Sequence, residues 1–469
     1  MHDQATSSRR EFLAKAGGGA GAIALAMLSH DDRAAGASVP MARQPHFEPR
    51  AKRVIWLFMH GGPSHIDLFD PKPELMKYAG QPLPESFGDF ITRNPVAQNP
   101  LLGPLKPFRP RGDSGVEISD FLPNIAECAD QLCVIRSMHG DSVTHPESVY
   151  QLNTGSVLMG KPSVGSWVAY GLGSENRDMP AFVVLPDPGG SLKGGPPAWG
   201  SGFLPATFQG VTMRSGDAPI LNLKPQEQIL PAQQQGVLNL IQQFNLEHLG
   251  SRGKDDELAA RIAAYELAFR MQSAAPELVD ISRESSHTHA LYGLNDPETK
   301  EFGQRCLLAR RLVEGGVRFV QLYSGDTGGW DAHEDVYGNH TKYCRRTDKP
   351  IAGLLTDLRQ RGLLNDTLVV WGGEFGRMPM NDRGTGRDHN PWGYTYWLAG
   401  AGIRGGHVHG ATDPLGLRAA ENKVHVRDLH ATILHLLGID HELLTLSHNG
   451  LEERLTGPSE ARVLHEIFG

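Results

Sequence analysis

Residues 53–63, "RVIWLFMHGGP", run apolar from Val54 to Met59 without a polar break and stop at His60-Gly61-Gly62-Pro63. A strand with one wet face would alternate, so this one is predicted to be buried on both faces, with Gly-Gly-Pro ending it in a loop. The same form returns at "VRFVQLYS" (317–324), stopping at Gly325-Asp326, and at "DTLVVWGG" (366–373), stopping at Glu374. It returns again at "AFVVLP" (181–186), stopping at Asp187-Pro188-Gly189. Before two of these runs, over 300–315 and 350–362, apolar residues recur at spacings of three and four and predict helices. Helix, short turn, apolar strand and polar loop, repeated, is the sequence form of an α/β fold: a three-layer α/β/α sandwich with a mostly parallel sheet. Such a sheet binds ligands beyond the carboxyl ends of its strands, which makes the strand-end residues the candidates for chemistry.

With 469 residues, 39% of them hydrophobic, the chain can build a large core, and 55 Gly with 32 Pro imply many loops. Its net charge of -8 offers no basic stripe for a polyphosphate backbone, which argues against nucleic acid as a partner. The stretch "PDPGGSLKGGPPAWGSGFLP" breaks the rhythm and predicts a Gly/Pro-rich insertion over the rim, about 186–235. Residues 253–285 predict a helical excursion that packs on the surface.

The N-terminus is a different text. "SSRREFLAKAGGGAGAIALAMLSH" joins Arg9-Arg10, followed by Phe12-Leu13, to a weakly apolar run, with a small-residue cleavage site at Ala35-Gly36-Ala37. This predicts a twin-arginine signal peptide over 1–37, a linker over 38–50 and a single α/β domain over 51–469. The run from Ala16 to Leu28 is too short and glycine-rich for a bilayer core of roughly 30 Å, and no mature membrane span is expected. The expected partner is then the twin-arginine export machinery, and the expected location periplasmic or secreted. Four cysteines are too few for a disulfide scaffold and lack Cys-x-x-Cys spacing; a Cys128–Cys133 disulfide and burial as free thiols both stay open.

Four strand-end segments hold the chemically expensive residues: "HGGPSHIDLFD" (60–70), "HGDSVTHPESVYQLNTG" (139–155), "GDTGGWDAHEDVYGNH" (325–340) and "GGEFGRMPMNDRGTGRDHNP" (372–391). Each offers His with Asp or Glu on a glycine-bounded loop, the mixed nitrogen and oxygen set that suits a divalent ion. On an extended loop Asp331 and His333 point the same way and can grip one ion, although Asp331 could instead cap a helix starting at Ala332. Glu374 leaves a buried strand, where a carboxylate needs a metal or a partner such as Arg377. Thr144 and His145 stand where a loop enters a helix, a site that favours anions. Thr144 is a candidate nucleophile or a plain N-cap, and His145 a candidate ligand or base.

The leader, "HGGPSHIDLFDPKP", "GGWDAHEDV", "GGEFGR" and "GRDHNPWGYTYWLAGAGIRGGHVHGATD" together resemble an exported sulfatase-like family known as domain of unknown function 1501. That family resembles in turn the alkaline phosphatase and arylsulfatase superfamily. The resemblance implies an alkaline phosphatase/sulfatase-like sandwich holding one or two divalent ions (Zn, Mn, Ca or Mg). It implies His60 or Asp67 near the first ligand position, Thr144 or His145 near the nucleophile, Asp331 with His333 as a ligand pair, Glu374 as the acid of an Asp-His dipeptide and His389 as the final histidine. Asp388 is then expected to orient His389. Two departures stand out: the Cys-x-Pro-x-Arg nucleophile motif is absent, the stretch reading "THPES", and Phe375 replaces the dipeptide's histidine.

The expected function is hydrolysis of a phosphate or sulfate ester, small-molecule or glycan, outside the cytoplasm, with Arg136 or Arg387 neutralising developing charge. The alternative is a non-catalytic exported binding or assembly protein on the same fold.

Overall fold

A computed structural model of the chain describes residues 43–216, 219–220, 231–252 and 256–469. The segment expected as signal peptide and the first residues of the linker lie outside the described residues. So do parts of the expected insertion.

The opening run forms β1 (Arg53–Met59) near the middle of a nine-stranded sheet. Its fellow strands are β2 (Leu132–His139), β3 (Phe182–Leu185), β4 (Val211–Thr212), β5 (Phe319–Ser324) and β6 (Thr367–Gly372). A hairpin, β7 (Gly376–Asn381) with β8 (Arg387–Asn390), stands apart from the sheet, which resumes with β9 (Tyr394–Ala399), β10 (His407–His409) and β11 (Val424–His425). The order is β10-β2-β9-β6-β1-β5-β3-β4, with β11 also paired to β2. Within this sheet the described pairings are parallel except those of β9, which runs antiparallel to β6 and β2.

Both faces of β1 are covered, which is why it is apolar throughout. Ile55, Leu57 and Met59 enter a core shared with α5 (Pro297–Glu314) and α6 (Val336–Gln360). Val54, Trp56 and Phe58 enter a second core with α1 (His145–Thr154), α2 (Val164–Leu172) and α7 (Val426–Leu436). Each fully buried large side chain contributes about 1.5–3 kcal/mol. The result is a three-layer α/β/α sandwich.

The helix expected over 350–362 starts fourteen residues earlier, at Val336, with Pro350 inside it. Proline removes one helical hydrogen bond, but burial of Tyr343, Cys344, Ile351, Leu354 and Leu358 along one side holds both halves. The excursion is a pair, α3 (Pro231–Arg252) and α4 (Asp256–Val279). Within the expected insertion, Val211–Thr212 joins the sheet edge beside β3. All four cysteines are buried free thiols.

Three residues expected at the site brace the scaffold instead. Arg387, fully buried, donates to Asp67 through Nε (2.9 Å) and Nη2 (3.3 Å), and to the carbonyls of Leu102, Pro379 and Gly103. Asp67 also accepts from Ser64 Oγ at 2.5 Å and Leu105 N at 3.2 Å. Its expected place among the metal ligands is thus taken by an internal ion pair, and Arg387 has no face left for substrate. Arg136 donates to Phe69 O at 2.8 Å and sits 3.8 Å from Asp70, turned to the scaffold rather than to an ester.

Removing one partner of the Asp67–Arg387 pair strands a buried charge. Asp67→Ala is expected to cost about 3–5 kcal/mol in urea denaturation. Acid should weaken the fold as well. Burial pushes His340, whose Nε2 accepts from Ser64 N, down to about 3, and His430, against Leu152 O, down to about 4. Unfolded imidazoles take up protons below about 6.5 while these two stay neutral, so the unfolded state binds more protons there. Stability is therefore expected to be full well above pH 6.5 and to fall between pH 6.5 and about 3, read from urea midpoints.

Candidate metal centre

Because β1, β2, β5 and β6 are parallel, the loops that follow them leave one edge of the sheet together. Met59 pairs with Ser324 and Phe58 with Gly372, so His60, the 325–335 loop and Glu374 start at the same height. The loop bearing Asp331 and His333 is stitched to the β7–β8 hairpin by Arg387 N to Ala332 O (2.9 Å), Arg383 N to His333 O (3.0 Å) and Thr385 N to Glu334 O (2.9 Å). Gly386 permits this, since a Cβ there would meet the His333 backbone at 1.9 Å. The helix that Asp331 could have capped begins at Val336 under Asp335, which leaves the Asp331 carboxylate free for the rim.

At that rim His145, Asp331, His333 and His389 present ligand atoms that all lie within 4.8 Å of one another. His333 Nε2 is 2.9 Å from Asp331 Oδ1 and 3.0 Å from His389 Nε2, and His389 Nε2 is 3.3 Å from the same oxygen. His145 Nε2 is 3.0 Å from Asp331 Oδ2 but not aligned for a hydrogen bond, and it is buried without a partner. The other ring nitrogens are all occupied: His145 Nδ1 by Glu374 Oε1 (2.6 Å), His333 Nδ1 by Asp382 Oδ2 (2.5 Å) and His389 Nδ1 by the Val143 carbonyl (2.6 Å). An acceptor at Nδ1 fixes the tautomer that turns the Nε2 lone pair inward, which is how ligating histidines are held. Three inward Nε2 atoms and one carboxylate fit a small divalent ion.

Charge is concentrated at Asp331. Lys193 Nζ lies 2.6 Å from Oδ2 and Arg377 Nη2 2.8 Å from Oδ1. Burial opposes its ionisation, but the contacts with His145, His333, His389 and Arg377 hold it far below the usual carboxylate range. Burial also pushes His389 down to about 3, so that imidazole is a neutral donor at pH 7. Against its own burial, Glu374 is held down at about 2, first by the hydrogen bond to His145. Both of its oxygens accept from Gly61 N, at 2.9 and 3.1 Å, from a glycine with φ of 108°. Glu374 is therefore paired with His145 and not with Arg377.

The other expected residues lie around this core. His60 sits 6.0 Å ring to ring from His145 and accepts from Lys193 N at 3.2 Å; with His145 and Glu374 it forms a further group of possible ligands. Asp388 does not orient His389. Neighbours on a strand point to opposite sides, and Asp388 accepts from Asn94 N (2.8 Å) near His333 and Asp382. Thr144 occupies the N-cap position of α1, yet its Oγ1 donates to Glu147 Oε2 at 2.6 Å rather than capping the backbone. Phe375 packs on His389 (4.4 Å between centroids) and His145 (4.8 Å), closing one side of the cluster.

Lys193, Asp382 and Asn94 carried no sequence signal of their own. Lys193 is one cation in a Gly/Pro-rich strip, and Asp382 looks like an ordinary turn residue between two strands.

A family model described as "Protein of unknown function (DUF1501)" matches residues 51–468. The chain belongs to this DUF1501 family. Similar solved structures include a sulfatase from Pseudoalteromonas sp., at 13% identity and TM-score 0.36, over 86% of this chain and 69% of that one. A protein in the alkaline phosphatase superfamily from Vibrio parahaemolyticus matches at 11% identity and TM-score 0.35, over 94% and 78%. A phosphonate monoester hydrolase from Silicibacter pomeroyi matches at 13% identity and TM-score 0.31, over 74% and 71%. No curated protein matches the sequence. At these TM-scores the likeness is remote, and the centre of the DUF1501 chain is read from its own side chains.

Metal content after purification, measured by plasma mass spectrometry, separates ligands from neighbours. Asp331→Ala, His333→Ala and His389→Ala are each expected to lose the ion, whereas Asp388→Asn keeps it. Glu374→Gln, which weakens the hold on His145, is expected to lower affinity about 10- to 100-fold without abolishing binding.

Proposed function

We propose that this DUF1501 protein is a metal-dependent hydrolase of a phosphate or sulfate ester, acting outside the cytoplasm after twin-arginine export. The observation that carries the reading is the convergence of three inward-facing Nε2 atoms on Asp331, each imidazole anchored at its Nδ1. His145, Asp331, His333 and His389 would hold the ion; a set this rich in nitrogen suits zinc or manganese better than calcium or magnesium, which prefer oxygen. When bound, such an ion supplies Lewis acidity toward an ester oxygen. With Phe375 closing one side, the cluster is read as a one-ion site.

The chain's own residues supply the rest. Thr144 adjoins the ligand His145 at the start of a ten-residue helix, where backbone N–H groups favour an anionic group. Glu147 is held below its usual range by the hydrogen bonds from Ser142 and Thr144, so it stays ionised and can accept the Thr144 proton as Oγ1 attacks the phosphorus or sulfur. The bond to the alcohol oxygen breaks, the alcohol leaves with that proton, and water then hydrolyses the Thr144 ester to release phosphate or sulfate. Lys193, facing Asp331, places a cation where the ester's negative charge would sit. Among the described residues no helix is long and apolar enough to cross a membrane.

The zinc- and manganese-loaded chain should turn over members of a panel of aryl phosphate and aryl sulfate monoesters. Thr144→Ala and Glu147→Gln are each expected to lower kcat by about 100-fold or more with metal content unchanged. Bound metal with no turnover on any ester would sink the hydrolase reading in favour of a binding protein.

A further inference from the structure

The surface opens into a cavity of about 340 Å³ whose walls combine Asp89, Phe90, His139, Trp392, Arg418 and Lys423. Trp392 follows His389 by three residues, so their Cα atoms lie within roughly 11 Å of each other. The Gly140 N to Pro391 O hydrogen bond, at 2.8 Å, ties the loop leading to His145 to the same edge. Two of the cavity's residues, His139 and Trp392, thus stand in the stretches of chain that carry His145 and His389.

The walls are held in place. Trp392 Nε1 donates to Ile91 O (2.9 Å), its backbone N donates to Asn390 Oδ1 (3.1 Å), and its carbonyl accepts from Ala419 N (2.7 Å). The Arg418 guanidinium lies 4.2 Å from the Phe90 ring centre, and among the described residues its Nη2 reaches only backbone carbonyls, those of Phe87 (3.4 Å) and Asp89 (3.5 Å). Its charge is thus oriented without being cancelled by a carboxylate. Lys423 is exposed, and burial beside His425 pushes His139 down to about 4, which makes it a neutral hydrogen-bonding group at pH 7.

We infer that this cavity is the recognition subsite for one ring of an anionic saccharide whose esterified position reaches the metal centre. A fixed indole offers a flat apolar platform for the less polar face of a sugar ring. Asp89 can accept from ring hydroxyls, and Arg418 with Lys423 can bind a second sulfate, phosphate or carboxylate. A lipid tail would call for apolar walls throughout, and a polynucleotide would meet Asp89 and a chain of net charge -8. The inference rests on the proposed hydrolase activity only for what happens at the esterified position.

The test is calorimetric titration of the metal-loaded chain with sulfated chondroitin, heparin, carrageenan and polygalacturonate oligosaccharides, with neutral dextran oligosaccharide as control. At least one anionic oligosaccharide is expected to bind where dextran does not. Trp392→Ala and the double change Arg418→Ala with Lys423→Ala should each weaken it about tenfold or more. Trp392→Phe should retain most of the affinity, and metal content and circular dichroism should match the parent in every variant. Absence of binding by all four anionic oligosaccharides, or affinity that survives both disruptive variants, overturns the inference. Binding that persists in a chain that hydrolyses no ester overturns the hydrolase reading alone.

Discussion

Asp331 is the carboxylate on which the rim depends. It is mostly buried, and it faces three imidazole nitrogens, one ammonium and one guanidinium, all within 3.3 Å. A buried anion is costly unless it is surrounded in this way, and the carboxylate with its three imidazole nitrogens offers the donor set that a cation could use. Each partner comes from a different strand end or loop: His145 after β2, Lys193 after β3, His333 after β5, Arg377 in β7 and His389 in β8. One side chain thereby links five separate stretches of chain.

That linkage is possible because the sheet is parallel where it matters. Parallel strands deliver their following loops to one edge, and the cost is that every central strand must be apolar on both faces. The sequence meets that demand at residues 54–59, 319–323 and 367–372, all buried. The detached hairpin then does what the sheet cannot: it brings His389 back over the rim, backed by the sealed Asp67–Arg387 pair and stitched to the 331–335 loop through Gly386.

In the proposed reading, the candidate metal cluster and the cavity divide the labour of recognition. The cluster is dense, buried and poor in space, suited to holding an ion and a small tetrahedral group. The cavity is open, aromatic and cationic, suited to a ring carrying further negative charge. Trp392, three residues beyond His389, belongs to the same stretch of chain that completes the cluster. The motif "RDHNPW" thus serves both.

The unbroken apolar runs and the helical spacings determined the α/β class, the strand positions and the edge at which chemistry would gather, because burial on both faces leaves a mark on every residue of a strand. The long motifs placed Asp331, His333 and His389 among the candidates. Other placements were decided by the tertiary fold. Asp67, Arg136 and Arg387 are charged residues in the right segments, yet whether such a side chain faces a rim or an internal partner depends on elements 38 to 320 residues away. Asp388 and His389 are adjacent in sequence but turn to opposite sides once the segment becomes a strand. Lys193 reaches Asp331 only because the insertion folds back over the sheet, and the group that holds His389 Nδ1 is the backbone carbonyl of Val143, which no side-chain pattern encodes. Local order follows from the character of each residue, which a sequence displays; a site follows from distances between remote residues, which only the packed chain sets.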